Sequence, residues 1–276
     1  VGNNAPVRVM GIINVSPESF YKESIMIKIK DIAKTAMTME DMGASLIDVG
    51  AMSTAPYLDT LIPLHEEVKR MIQAIKTVKA SCGLPVVADT PRATVAYEAI
   101  NAGADAINDI SGLKYDTNMA KIIADTETSV IIGTYGYPLS NSWQISATKR
   151  YLRESLDIAR RAKIAENSVI IDPSIGFFRS QGKNPFFTKI HGAEYYIRDI
   201  ESILNLKRLK IFQKPICISV SRKSFIGHLL NSTTEDRLIG SVVSEIKSAK
   251  NGANIIRTHD VKQTIQGLIM AEILDC

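Results

Sequence analysis

The sequence predicts an α/β fold: a single (β/α)8 TIM barrel occupying residues 1–276 as one domain. Three observations predict it. Short β-branched runs alternate eight times with longer amphipathic stretches. The strand runs are almost continuously apolar, as strands covered by helices on both faces must be. An open doubly wound sheet would share these features, but no GxGxxG follows the first strand and eight units favour closure. Length and composition agree: 276 residues, 45% of them apolar, suit one barrel of about 250 residues, and no linker or low-complexity stretch divides them.

The elements run as follows. Strand one is Val7–Asn14, and the helical pattern of Ile27–Met42 stops at Gly43, a suitable left-handed C-cap. Leu46–Val49 is strand two, followed by the helix Leu64–Ala80 with Pro63 before it. Pro85–Thr90 is strand three, and the helix Thr94–Asn101 is closed by Gly103. Ala106–Ile110 is strand four, followed by a short helix, Met119–Ala124. Val130–Gly133 is strand five, followed by Ala147–Ala165, a helix with an Arg/Lys-rich face. Val169–Asp172 is strand six, and Tyr195–Leu206 its helix. Ile216–Val220 is strand seven, with Glu235–Lys250 ending near Gly252. Ile255–Arg257 is strand eight, and Val261–Ile273 closes the chain. The longest irregular piece, Pro173–His191, carries the pairs Phe177–Phe178 and Phe186–Phe187. Long loops in compact domains are often functional, so it is placed at the active face.

Composition removes several function classes. No apolar run approaches the roughly 18 residues of a membrane span, and Val1–Pro6 has neither the basic nor the apolar part of a signal peptide. Cys82, Cys217 and Cys276 form no CxxC pair; unpaired thiols and a cytoplasmic location are expected. A net charge of +4 is too mild to call for nucleic acid. The four histidines show no HxH or HxxxH spacing, which argues against zinc.

The main functional signal is positional. Strand after strand ends on a polar residue: Asn14, Asp48, Asp89, Asn108, Asp172, then Ser221, Arg222 and Lys223, then Arg257 and His259. One such residue can simply start a turn or cap a helix. Seven strands of eight place them where barrel enzymes build their sites. Asp89, Asn108 and Asp172 suit a flat heterocycle rich in N–H donors, because a carboxylate accepts two parallel N–H bonds from an aminopyrimidine edge. On spacing alone they suit Mg²⁺ or Ca²⁺ equally well. Arg257 and His259, with Lys223 nearby, form a cationic half suited to phosphate or pyrophosphate.

Six segments resemble one family, in its own order. MGIINVSPESF resembles the first signature of the dihydropteroate synthases, and GASLIDVGAMSTAP the second, GAxxIDIGGESTRP. VVADTPRATVAYEAINAGADAINDISG aligns without gaps, IIDPSIGFF resembles the DPGIGFGK loop, and SVSRKSFIG is nearly verbatim. RLIGSVVSEIKSAKNGANIIRTHDV carries the closing R-x-H-D, so the resemblance covers Val9 to about Leu274. It implies a barrel transferase that joins a dihydropterin hydroxymethyl diphosphate to p-aminobenzoate, or a related arylamine, and releases pyrophosphate. It implies that Asp89, Asn108 and Asp172 hold the pterin edge, with Lys223 lying over the ring. It implies Asn14 as a ligand of Mg²⁺ on the diphosphate, and Thr54, Arg257 and His259 as diphosphate residues. Phe177 and Ser221 would border the amine, Asp48 would support the site, and the family's usual homodimer is expected. Lys223, Asp89, Arg257 and His259 are the residues expected to carry the reaction.

The departures gather in loops. SFYKES replaces SFSDGG after strand one, Ala55 replaces the arginine of STRP, IIGTYGYP lacks the Met-His pair of strand five, and Phe178-Arg179 replaces Gly-Lys. With Ala55 in that place, recognition of the p-aminobenzoate carboxylate is expected to be weak, with Arg179 or Lys22 compensating in part. A pterin-dependent methyltransferase is disfavoured by SVSRKSFIG and R-x-H-D, since methyl transfer releases no pyrophosphate. A non-catalytic pterin binder remains an alternative.

Overall fold

The computed structural model describes residues 5–16, 29–136 and 144–274. The elements in chain order are β1 (Arg8–Asn14), α1 (Ile29–Asp41), β2 (Leu46–Gly50), α2 (Leu64–Ser81), β3 (Val86–Asp89), α3 (Ala93–Asn101), β4 (Ala106–Asp109), α4 (Met119–Asp125), β5 (Ser129–Gly133), α5 (Ile145–Arg161) and β6 (Val169–Asp172), then the two-residue strands β7 (Phe178–Arg179) and β8 (Thr188–Lys189), α6 (Tyr195–Leu204), β9 (Cys217–Ile218), α7 (Ser224–Leu230), α8 (Leu238–Lys250), β10 (Ile255–Thr258) and α9 (Val261–Leu274). Eight strands form one parallel sheet in the order β6-β5-β4-β3-β2-β1-β10-β9. A parallel bridge between Ile171 and Ile216, with Ile171 N–H donating to Pro215 at 3.0 Å, joins its ends and closes the barrel. No helix among the described residues is long and apolar enough to cross a membrane.

Strand side chains alternate between faces with period two, and the burial follows that rule. Val9, Ile13, Ile47, Val49, Val86, Ala88, Ile107, Val130 and Ile132 face outward and pack on the helices. Met10, Val87, Ile131, Cys217 and Ile255 cluster inside the barrel with Leu46, Ala106 and Ile170. These inward residues make an apolar floor. One step of two residues further along the same strands, the floor gives way to Asp48, Asp89, Asn108, Asp172, Ser219 and Arg257.

The structure adjusts several sequence expectations. Strand two runs on to Gly50, so Asp48 is its third residue, level with Ile12 and Val87. Asp48 therefore lies below the mouth rather than at it. Strand seven shortens to Cys217–Ile218. A helix not expected, α7, starts directly after Lys223 and ends at Asn231 in the left-handed region (φ 48°); seven residues with an internal Gly227 gave it no readable period. Helix α5 stops at Arg161 because Lys163 turns left-handed (φ 64°). Residues 27 and 28 of the first expected helix, Lys22, and Cys276 lie outside the described residues.

The two C-terminal loop motifs lock together. Arg222 donates to Asp260 through Nε (3.0 Å) and Nη2 (2.7 Å), and to the carbonyls of Thr234 (3.1 Å) and Glu235 (2.7 Å). The Arg222 and Asp260 side chains are only 6% and 12% exposed. Removing one partner of a buried pair leaves the other uncompensated, at about 3–5 kcal/mol. Arg222→Met is therefore expected to lower unfolding free energy by about that amount, read as a fall in urea midpoint at unchanged slope; an unshifted midpoint would show the clamp to be dispensable.

Candidate active site

The C-terminal mouth of the barrel opens into a cleft. Asn14, Thr54, Asp89, Asn108, Asp172, Phe177, Ser221, Lys223, Arg257 and His259 all line it. These are the sequence-predicted residues with one exception. Asp48 is fully buried beneath the cleft, where it accepts from Asn108 Nδ2 (3.1 Å) and Arg257 Nε (3.0 Å). It is a support, as expected of it, and not a contact residue.

Arg257 organises the floor of the site. Its Nη2 donates to Asp48 and, at 2.7 Å, to Asp89 Oδ2, while Nη1 lies 3.5 Å from Ser219 Oγ. Burial by itself would lower the Arg257 pKa, but Asp48 and Asp89 more than offset this and hold the guanidinium charged. Asp89 feels burial first and Asp48 second; both push its pKa up, Arg257 and Lys223 pull it back, and it comes to rest at about 7. Burial also raises Asp172, against the Ser174 N–H, which donates to its Oδ1 at 2.6 Å. Lys223 is lowered to about 8, by burial and then by Arg257. Burial and the cations Arg257, Arg222 and Lys223 keep the His259 pKa well below the usual histidine range. His259 is thus a neutral ring at pH 7, hydrogen-bonded through Nδ1 with Ser221 Oγ at 3.0 Å. The expected cationic half consists of Arg257 and Lys223, with His259 as a neutral hydrogen-bonding group.

These fixed cations also decide between the two readings of the carboxylates. Arg257 and Lys223 both stabilise charge on Asp89 and Asp172, the role a bound Mg²⁺ or Ca²⁺ would otherwise fill. Among the described residues no group of three His, Cys, Asp or Glu side chains is placed to hold a metal ion. The arrangement suits an organic N–H-rich edge.

One wall is the loop after β6. Gly176 (φ 86°) lets the chain turn past Lys223: a Cβ there would stand 3.1 Å from Lys223 Cδ. The Lys223 ammonium lies 4.5 Å from the centre of the Phe177 ring. Beyond it, Arg179 donates through Nε to Gly176 O (3.1 Å) and through Nη2 to Ser224 Oγ, and lies 3.8 Å over the Tyr195 ring and 5.6 Å from that of Tyr57. The same loop reaches the second loop: Lys183 N–H donates to Pro56 O (2.7 Å) and Asn184 Nδ2 to Ala55 O (2.6 Å). Ala55 is buried and lines the cleft, with its carbonyl held by Asn184.

Sequence reasoning missed Ser219, Ser224 and Tyr57 as lining residues. Ser219 was readable from the period-two series Cys217, Ser219, Ser221. Ser224 reaches the cleft as the first residue of α7, the helix that was not expected, and Tyr57 through loop geometry that no local pattern encodes.

Comparison with known proteins agrees with this geometry. Residues 10–259 match the family model described as pterin binding enzyme. A dihydropteroate synthase of Clostridium beijerinckii is 33% identical over 96% of this chain and 93% of its own, and that of Bacillus subtilis 32% over 97% and 87%. Among solved structures, a dihydropteroate synthase from Clostridium difficile, crystallised in the presence of pteroic acid, superposes with TM-score 0.85 at 29% identity, covering 99% of this chain and 98% of that one. One from Xanthomonas albilineans, in complex with 7,8-dihydropteroate, gives 0.81 at 27% identity over 100% and 96%. With the barrel, the cleft and the family match all coinciding over nearly the whole length, the chain belongs to the pterin-binding enzyme family, among the dihydropteroate synthases.

Proposed function

We propose that the protein is a transferase joining a 6-hydroxymethyl-7,8-dihydropterin diphosphate to p-aminobenzoate or a related arylamine, with release of pyrophosphate, as in folate or a related pterin cofactor synthesis. The observation that carries this reading is the convergence of Asp89, Asn108 and Asp172 in one cleft with Lys223 and Arg257. Asp89 and Asp172 accept the N–H groups of the pterin edge, Asn108 adds amide hydrogen bonds, and Lys223 lies over the ring. As the exocyclic C–O bond breaks, positive charge develops on the pterin, and the carboxylates stabilise it. Arg257, His259 and Thr54 hold the departing diphosphate, Phe177 and Ser221 border the amine, and the amine nitrogen closes the new C–N bond. No protein nucleophile takes part.

We assign Mg²⁺ to the diphosphate, with Asn14 as its protein ligand. Magnesium keeps most of its water and commonly binds through substrate phosphates and few side chains, which a single amide oxygen at the end of β1 fits. When bound, it would neutralise charge on the leaving group.

On the acceptor side the reading shifts from Ala55 to Arg179. Arg179 lines the cleft together with Phe177, and its guanidinium lies 3.8 Å from the centre of the Tyr195 ring, which supports it as the cation facing an acidic arylamine. A cytoplasmic location is supported by the free thiols of Cys82 and Cys217. A homodimer is supported by the exposed apolar residues Ile239 and Val243 on α8 and Ile269, Met270 and Ile273 on α9, two helices in contact.

The central test is pyrophosphate release from the dihydropterin diphosphate with p-aminobenzoate or p-toluidine. Turnover is expected only with an amine present, and p-aminobenzoate is favoured by about 10-fold or more, the equivalent of one charge-assisted hydrogen bond. Arg179→Met is expected to remove that preference while sparing p-toluidine turnover. Release without any amine would point to a repurposed pterin binder, and a preference unchanged by Arg179→Met would take Arg179 out of acceptor recognition.

The pKa shifts fix a pH profile. Asp89 must be ionised to accept N–H bonds, so kcat/KM for the pterin diphosphate should rise through about pH 7. Lys223 must keep its proton, so it should fall again above about pH 8. A flat profile from about pH 6 to about pH 9 would contradict both roles.

Light scattering is expected to give twice the chain mass, and the double substitution Val243→Glu, Ile269→Glu the mass of one chain with the circular dichroism preserved. A wild-type monomer at micromolar concentration would refute the dimer.

A further inference from the structure

The segment from Asp172 to Phe177 joins the pterin edge to the amine border, yet its own conformation is unfavourable. Ser174 (φ 55°) and Gly176 (φ 86°) both lie in the left-handed region, which a serine rarely adopts. Something outside the segment must hold it.

Two consecutive residues of α6 do so, both with no exposed side-chain surface. Asp199 Oδ1 accepts the Gly176 N–H at 2.9 Å. Arg198 donates through Nη2 to Pro173 O (2.6 Å) and to Thr148 Oγ1 on α5 (3.1 Å), and through Nη1 to Ser174 O (3.2 Å). Its guanidinium lies 3.5 Å from the centre of the Phe178 ring. Neighbouring residues on a helix point about 100° apart, so the two side chains reach successive parts of one loop. From Ser174 the link continues inward: its N–H donates to Asp172 Oδ1 (2.6 Å), and its hydroxyl accepts the Thr134 N–H (2.7 Å). Neither Arg198 nor Asp199 lines the cleft.

Burying an ion pair returns little net stability. Here the arginine gives its fork to two carbonyls of one loop and the aspartate accepts that loop's N–H, which is an arrangement for geometry. We propose that Arg198 and Asp199 are positioning residues: through the backbone of residues 173–176 they set the Asp172 carboxylate and the Phe177 ring at the spacing that the pterin and the amine require. This rests on the pterin-binding reading of the cleft.

The test measures the Kd of pteroic acid by calorimetry, with urea midpoints recorded separately, for wild type, Asp199→Leu, Asp199→Asn and Arg198→Lys. Asp199→Leu removes the acceptor for Gly176 and is expected to weaken binding about 10-fold or more. Asp199→Asn keeps Oδ1, loses the charge, and should bind within about threefold of wild type even though its urea midpoint falls. Arg198→Lys keeps a cation without the fork and should weaken binding at least about threefold, which serves should Asp199→Leu not fold. Unchanged affinity in folded Asp199→Leu, equal weakening in Asp199→Leu and Asp199→Asn, or wild-type affinity in Arg198→Lys overturns the proposal. Failure of the wild type itself to bind would instead bring down the reading of the cleft.

Discussion

The guanidinium of Arg257 is what allows this barrel to carry acids in its interior. Asp48 is fully buried and Asp89 largely so, its side chain 18% exposed, in a space where an isolated carboxylate is costly to ionise. Two such groups side by side would drive one to take a proton, and Asp48 is already the second-largest influence raising Asp89. Arg257 reaches both, from a strand 209 residues from Asp48 and 168 from Asp89. Its charge keeps Asp89 near the threshold of ionisation at neutral pH, and so keeps it an acceptor. The expected division into a pterin half and a diphosphate half thus dissolves: one side chain on β10 sets the protonation of the first and borders the second.

That network determines how much was legible in the sequence. Eight βα units, the closed barrel and the gathering of ten of the eleven expected residues around one cleft were legible in strand composition, strand ends and family resemblance, because inward residues repeat every second position and change from apolar to polar at one height. Asp48 shows the limit. Its identity was readable, but its depth depends on how far β2 runs, and two further strand residues place it beneath the mouth. Helix α7 escaped because seven residues with an internal glycine carry no readable period. The neutral state of His259 was equally hidden, since it depends on burial and on three cations, two from the loop after β9 and one from β10, the strand it follows.

The loop 173–191 shows a different kind of illegibility. Its phenylalanine pairs and its length marked it as functional, and the reason lies in its contacts. Phe178 is fully buried beneath the Arg198 guanidinium, while Phe177 faces the cleft; adjacent residues of one pair thus do opposite jobs. Phe186 packs edge-on against Tyr115, with ring centres 4.8 Å apart. Asn184 ties the loop to the second loop through Ala55 O. The sequence shows a lost arginine at that place, whereas the fold brings a different cation, Arg179 from the stretch after β6, to the same cleft.

The two sides of the site therefore differ in what holds them. Asp89, Asn108 and Asp172 sit on hydrogen-bonded strands whose register fixes each Cα against its neighbours, so a change of residue there has no way to be absorbed. Tyr57, Phe177 and Arg179 sit on loops that position one another. Loops tolerate substitution provided that the contacts between them are rebuilt, and the departures from the family pattern follow this division. Ala55 and Phe178-Arg179 lie on the loop side, the IIGTYGYP segment starts on β5 and leaves it at Thr134, and SFYKES, residues 19–24, lies outside the described residues. Change gathered mainly in the loops, with Asp89, Asn108 and Asp172 kept on their strands, is what a barrel would accumulate if its pterin were constant and its amine partner were the variable.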